Sequence, residues 1–250
     1  MVRTIFITGA TAGIGEACAN LFAKEGNCRL ILNGRRAERL AELAAGLSVD
    51  CMTLPFDVRN ADDCQRAIDG LEAPWNEIDI LVNNAGLAVG KAPIQDAPID
   101  DWERMIDTNI KGLLYITRAI APLMVKRSKG HIINIGSVAG KEVYPGGGVY
   151  CGTKHAVDAI SRGLRMDLLQ DGIKVSQVCP GLVNTEFSAV RFKGDLEKAD
   201  ATYTGMTPLR GEDIAQVVGF VSNLPAHMNI EDVVVFPTDQ GSATQVRRKA

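Results

Sequence analysis

Short apolar runs alternate with longer helical patterns along this whole chain, and that alternation leaves few folds open. Thr4–Thr8 reads as a strand and Gly13–Lys24 as a helix. Strand patterns then recur at Arg29–Leu32, Cys51–Leu54, Ile78–Val82, His131–Ile135, Lys174–Val178 and Val233–Phe236. Helical patterns fall between them at Ala37–Leu47, Asp62–Leu71, Ile99–Lys126 and Val149–Leu169. Strands that are apolar throughout, not on alternate residues, are buried on both faces. The expected class is therefore α/β: a doubly wound parallel sheet with helices on both faces. The 250 residues are read as one domain, 1–250. Leu182–Met206 interrupts the pattern with polar residues, and residues 182–206 are read as a substrate loop.

Hydrophobic content of 46% suffices for a large core, and a net charge of −3 argues against a nucleic-acid binder with its basic stripe while leaving room for a local basic pocket for a small anion. No apolar run is long enough for a membrane span, and the N-terminus shows no signal-peptide pattern. Cys18, Cys28, Cys51, Cys64, Cys151 and Cys179 lack metal-type spacing, and His131, His155 and His227 are scattered, so no metal is expected. Unpaired cysteines point to a cytoplasmic protein. The tail Ser242–Ala250 is polar and basic, and is expected to be mobile.

Gly9, Gly13 and Gly15 follow the first strand and open a helix. Glycine lets backbone approach a pyrophosphate, and a helix N-terminus offers free N–H groups. Gly9, Thr11, Gly13, Ile14 and Gly15 are thus cofactor candidates. The second strand ends in Asn33-Gly34-Arg35-Arg36, where an NAD site would carry an acid. Two guanidiniums suit a phosphate instead, so NADP(H) is expected, with Arg35 the leading contact and Arg36 the second. Asp57 and Val58 can hold adenine, or Asp57 can cap a helix. Asn83, Ala85 and Gly86 follow the fourth strand, beside a ribose or as a brace of the sheet.

Tyr150 and Lys154 share a helical face, thirteen residues after Ser137. A phenol beside an ammonium can pass a proton, and with the nucleotide turn this points to paired hydride and proton transfer. Thr8–Gly15, Asn83-Asn84-Ala85-Gly86, Ser137, Tyr150-x-x-x-Lys154 and Pro180-Gly181 together resemble the short-chain dehydrogenase/reductase family, in order and spacing. The resemblance implies a seven-stranded Rossmann sheet and a homotetramer or homodimer. Carried over, it makes Tyr150 the general acid–base, with its pKa lowered by Lys154 and by the nicotinamide positive charge. Lys154 binds the nicotinamide ribose, and Ser137 holds the substrate oxygen. Asn109 carries a water-linked relay to the lysine, or is a helix residue bonded to backbone. Pro180, Gly181, Val183 and Thr185 receive the carboxamide.

Lys141–Gly148, Glu186–Asp195 and Leu224–Ile230 resemble the branch acting on short 3-hydroxy acids such as serine, L-allo-threonine or 3-hydroxypropionate. The turn Leu182-Val183-Asn184 is one residue shorter than in that branch, and Lys141 stands where arginine is common. A small carboxylate needs a cation, so Arg191 is read as its clamp and Tyr144 as a wall of the pocket, with Lys193 nearby. The competing reading pairs Arg191 with Glu186 or Asp195 as a loop brace. Other readings are a reductase of another small aldehyde or ketone such as sulfoacetaldehyde, an enzyme of a neutral sugar or polyol, and a dinucleotide-sensing regulator without catalysis.

Overall fold

The computed structural model describes residues 2–249; Met1 and Ala250 of the expected domain lie outside the described residues. Elements run β1 (Arg3–Ile7), α1 (Gly13–Glu25), β2 (Cys28–Gly34), α2 (Ala37–Gly46), β3 (Cys51–Pro55), α3 (Ala61–Asp69), β4 (Ile78–Asn83) and α4 (Ile99–Ile106). They continue with α5 (Leu113–Arg127), β5 (His131–Ile135), α6 (Gly148–Asp167), β6 (Lys174–Pro180), β7 (Val183–Asn184) and α7 (Glu186–Arg191). Last come α8 (Leu196–Ala201), β8 (Leu209–Arg210), α9 (Gly211–Ser222) and β9 (Asp232–Val235). The main sheet has seven strands in the order β3-β2-β1-β4-β5-β6-β9, every neighbouring pair parallel. This is the expected doubly wound Rossmann-type arrangement.

The period-2 geometry of a strand sorts its side chains between two cores. Ile5, Ile7, Leu30, Leu32 and Val82 face α1, α2 and α9, where Phe22, Leu40 and Val218 cover them. Phe6, Ile31, Leu81 and Ile132 face the other way, under α3 and α5 with Ile68, Ile116 and Ile120. Helices α1 and α9 lie side by side, with Leu21 against Gly219. Among the described residues, no helix is long and apolar enough to cross a membrane.

Three expectations need correction. The pattern at Ile99–Lys126 is not one α-helix: a π-helical stretch over Asp107–Gly112 separates α4 from α5. A π turn keeps the helix axis while rotating the next helix about it, which hydrophobic spacing does not register. Residues 182–206 are not irregular: they contain β7, α7 and α8, and β7 pairs with β8. The tail is tied down. Arg247 bonds the buried Asp239, Lys249 N donates to Gly205 O at 2.7 Å, and Ala243 N donates to Glu142 Oε2 at 2.7 Å.

Candidate active site

Strand order reverses between β1 and β4, and a cleft of about 910 Å³ opens beyond their carboxyl ends. Its floor is the turn into α1. Gly9 and Gly13 take φ of +64° and +57°, a region that costs other residues strain. A Cβ on Gly15 would overlap the Gly9 carbonyl and lie 2.5 Å from Asn84 Nδ2. Asn84 explains the closeness: its amide donates to Thr8 O at 2.9 Å and Gly9 O at 3.1 Å. The Thr8 hydroxyl in turn accepts from Asn84 N and Ala85 N. The turn is thus stapled to the end of β4, and free N–H groups at the α1 N-terminus face the cleft. That cradle fits a pyrophosphate.

Of the two adjacent asparagines, Asn84 lines the cleft, and Asn83 follows the bracing alternative instead of the expected cofactor contact. Asn83 is 4% exposed and donates to Thr117 Oγ1 and Asn134 Oδ1 inside the sheet. Successive residues at a strand end point to opposite sides, so only one of the pair can face a ligand. The end of β2 carries no carboxylate, since Asn33 is bonded to Leu54 O and Phe56 O. Arg35 is 61% exposed, with Asp57 at 3.9 Å, and its guanidinium remains available at the cleft rim. Arg36 departs from expectation: its donors go to Thr11 and to Glu186, at 2.9 Å. It joins the nucleotide turn to α7 and has little left for a phosphate. Asp57 is held by Arg59 at 2.7 Å, and it is Asn60, not Asp57, that caps α3. Val58 and Phe56 line the cleft beside it.

The middle of the cleft holds Ser137, Tyr150 and Lys154 together, with Tyr150 and Lys154 8% and 6% exposed. Ser137 follows β5 by two residues and caps the short turn Val138–Gly140, accepting from Ala139 N. Lys154 Nζ donates to Ile135 O at 2.8 Å, and burial lowers its pKa to about 8. A buried ammonium without a carboxylate is disfavoured, so a neutral amine is within reach near neutrality. In the protein alone, the lowering of the Tyr150 pKa expected from Lys154 does not appear. Burial pushes it well above the ordinary phenol value, and Tyr144 adds to that. Ser137 and Arg191 oppose the rise. The cation against Tyr150 is Arg191, 5.6 Å from the ring centre, rather than Lys154.

Asn109 lies in the π stretch, and its amide is committed. It accepts from Leu87 N and donates to Leu87 O and to Thr153 Oγ1 at 3.0 Å. Thr153 donates on to Tyr150 O at 2.7 Å. Asn109 therefore sets the turn of α6 that bears Tyr150. Gly86 lies between its Oδ1 and Lys154 Nζ.

Residues 182–206 form the far wall. Thr185 caps α7 and packs against Gly13, while Gly181 and Val183 line the cleft beneath. Phe187 meets Tyr150 edge-on at 5.8 Å. Arg191, at the end of α7, donates from Nη2 to Tyr144 Oη at 2.7 Å and stacks 5.2 Å from that ring. The brace reading fails: Glu186 pairs with Arg36 and Arg39, and Asp195 with Lys198. Arg191 Nε is buried with no hydrogen-bond partner. Lys193 does not reach the cleft; it pairs with Asp101 at 2.9 Å. Gly147 leaves room for the Tyr144 ring, which a Cβ there would overlap. Ala243, Thr244, Val246 and Arg248 of the tail complete the rim. Sequence reasoning missed Asn84, Phe187, Gly147 and the tail. Only Asn84 carried a local signal, its place beside Asn83 at a strand end.

The family model described as short chain dehydrogenase matches residues 3–195. The chain belongs to the short chain dehydrogenase family. Among its relatives in that family is the NADP-dependent 3-hydroxy acid dehydrogenase of Salmonella typhi, 50% identical over 240 residues and 96% of each chain. The serine 3-dehydrogenase of Rhizobium radiobacter is 44% identical over 243 residues and 97% of each chain. A solved structure described as the closed form of serine dehydrogenase complexed with NADP+ aligns with a TM-score of 0.92 at 48% identity. It covers 99% of this chain and 100% of its own.

Proposed function

We propose that this short chain dehydrogenase transfers a hydride between NADP(H) and a short 3-hydroxy acid of the serine or 3-hydroxypropionate type. The observation that carries the substrate class is Arg191. Its guanidinium stacks between Tyr144 and Tyr150, pairs with no carboxylate among the described residues, and keeps a buried Nε without a partner. A buried donor without an acceptor is costly, and a substrate carboxylate relieves that cost through charge-assisted hydrogen bonds. The relatives named above act on substrates of this class.

Bound NADP(H) supplies or accepts the hydride. The turn Gly9–Gly15 holds its pyrophosphate, and Arg35 the 2′-phosphate, since no acid stands at the end of β2 to take a free hydroxyl. Val58 flanks the adenine with Asp57 nearby. Ala85, Gly86 and Lys154 hold the nicotinamide ribose, and Pro180, Gly181, Val183 and Thr185 the carboxamide. Ser137 orients the substrate oxygen, and Tyr150 gives it a proton in reduction or takes one in oxidation. In the protein alone burial favours the neutral phenol, which is the form that donates. The oxidative direction draws on the Ser137 hydroxyl, which favours the phenolate, and the positive charge of an oxidised nicotinamide would act in the same sense. Lys154, poised near neutrality, passes the proton on. A water-linked relay to it would run from the side of Asn109, since Gly86, lacking a Cβ, leaves the space between Asn109 Oδ1 and Lys154 Nζ unfilled.

A panel of 3-hydroxy acids, semialdehydes, sulfoacetaldehyde and neutral alcohols, assayed with NADP(H) and NAD(H), tests this reading. Arg191→Ala is expected to raise KM for 3-hydroxy acids by roughly 10- to 100-fold, the worth of charge-assisted hydrogen bonds. Neutral alcohols are expected to change little. Equal losses on both classes would remove the clamp.

Assembly into a homotetramer or homodimer through α4–α5 and α6 completes the proposal. Ile106, Leu114 and Met166 are exposed apolar side chains on these helices, and sedimentation of the purified protein decides between states. Six free cysteines suit a cytoplasmic location.

A further inference from the structure

The segment bearing Arg191 is fastened to the body of the protein at two adjoining points that the proposed chemistry does not use. Asp101, in the first turn of α4, is only 3% exposed. Its ion-pair partner is Lys193, two residues beyond the clamp, with Nζ–Oδ2 at 2.9 Å. Lys193 takes φ +55°, a left-handed conformation that needs support from its surroundings. Beside this pair, Gly90 N donates to Arg191 O at 2.8 Å. Gly90 has φ +71°, and a Cβ there would lie 2.9 Å from Asp101 Oδ2. One glycine therefore bonds the backbone of Arg191 and leaves space for the carboxylate that holds Lys193.

We propose that Asp101 and Lys193 are positioning residues that set substrate specificity by seating Arg191 over Tyr150. The proposal rests on the reading of Arg191 as the carboxylate clamp. A carboxylate this far from water is costly without its cation, so Asp101 favours the arrangement in which the 182–206 segment lies down. A guanidinium displaced by about an ångström loses much of its benefit to the bound anion. Tyr150 and Lys154 stand on α6 and Ser137 just beyond β5; α4 packs on α6 through Met105 and Trp102, while the Asp101–Lys193 pair itself bonds none of the three. Loosening it therefore weakens the binding of anionic substrates and leaves the proton transfer intact. A merely stabilising ion pair would affect anionic and neutral substrates alike.

The test uses the intact enzyme with NADP(H), a 3-hydroxy acid and a neutral alcohol. Lys193 is half exposed, so Lys193→Met should keep the fold, and its melting temperature checks this. The expected result is a KM for the 3-hydroxy acid raised roughly tenfold, about 1.4 kcal/mol of uniform binding, with kcat little changed. The neutral alcohol should be unaffected, and Lys193→Arg should restore the KM. In an Arg191→Ala background, Lys193→Met should add nothing further. If Arg191→Ala discriminates between the substrates and Lys193→Met does not, the latch is overturned while the clamp stands. If Arg191→Ala fails to discriminate, both are overturned.

Discussion

On the β1–α1 side the cleft wall is backbone; on the α7–α8 side it is side chain. Gly9, Gly13 and Gly15 make their wall by lacking atoms, and the closeness of Gly15 to Gly9 leaves one arrangement. The opposite wall is assembled from pairs: Glu186 with Arg36 and Arg39, Arg191 with Tyr144, Lys193 with Asp101, Arg248 with Thr202 O. The first wall suits a ligand part common to many enzymes. The second can be retuned one residue at a time, and most easily at Glu186, whose exposed pairs with Arg36 and Arg39 are individually weak. Chemistry is placed where the two meet, at Tyr150.

That contrast orders the expected effects. Tyr150→Phe lies on the seam and should cut turnover by roughly 10²- to 10⁴-fold, the usual worth of a positioned acid–base. Isothermal titration should find NADP(H) affinity unchanged; retained turnover would take the proton step away from Tyr150. Gly15→Ala challenges the backbone wall. Overpacking of this kind costs about 1–3 kcal/mol, and the variant should lose NADP(H) and NAD(H) affinity together as well as melting temperature. An unaltered affinity would show that this turn is not the tight cradle described. Arg35→Ala should act most narrowly. About 1.5–3 kcal/mol of binding should be lost for NADP(H) and almost none for NAD(H), as separate titrations would reveal. Equal losses would move the 2′-phosphate elsewhere.

Much of the first wall was legible in the sequence. A glycine turn between a strand and a helix is a local pattern, and so is Tyr150 four residues before Lys154. The missing acid after β2 could likewise be read directly. What escaped depends on contacts between distant residues. The exchange of Asn83 for Asn84 turns on which side of β4 each faces. The engagement of Arg36 needs Glu186, 150 residues away. The need for Gly147 appears only once the Tyr144 ring lies against it, and the π stretch only once Asn109 reaches Leu87. The polarity of the tail suggests mobility, yet the buried Asp239 that anchors Arg247 has no sequence signature. Tyr150 differs for another reason: spacing from Lys154 points to acidity, whereas burial dominates and the cation that bears on the phenol is Arg191.

The pairing of α1 with α9 also bears on how the molecule comes into being. During synthesis the first five strands of the sheet leave the ribosome well before α9 does, so α1 and the layer under it must wait with one flank uncovered. The α1 layer is therefore completed only when α9 arrives, and a chain ending before Gly211 would leave Leu21 without its cover.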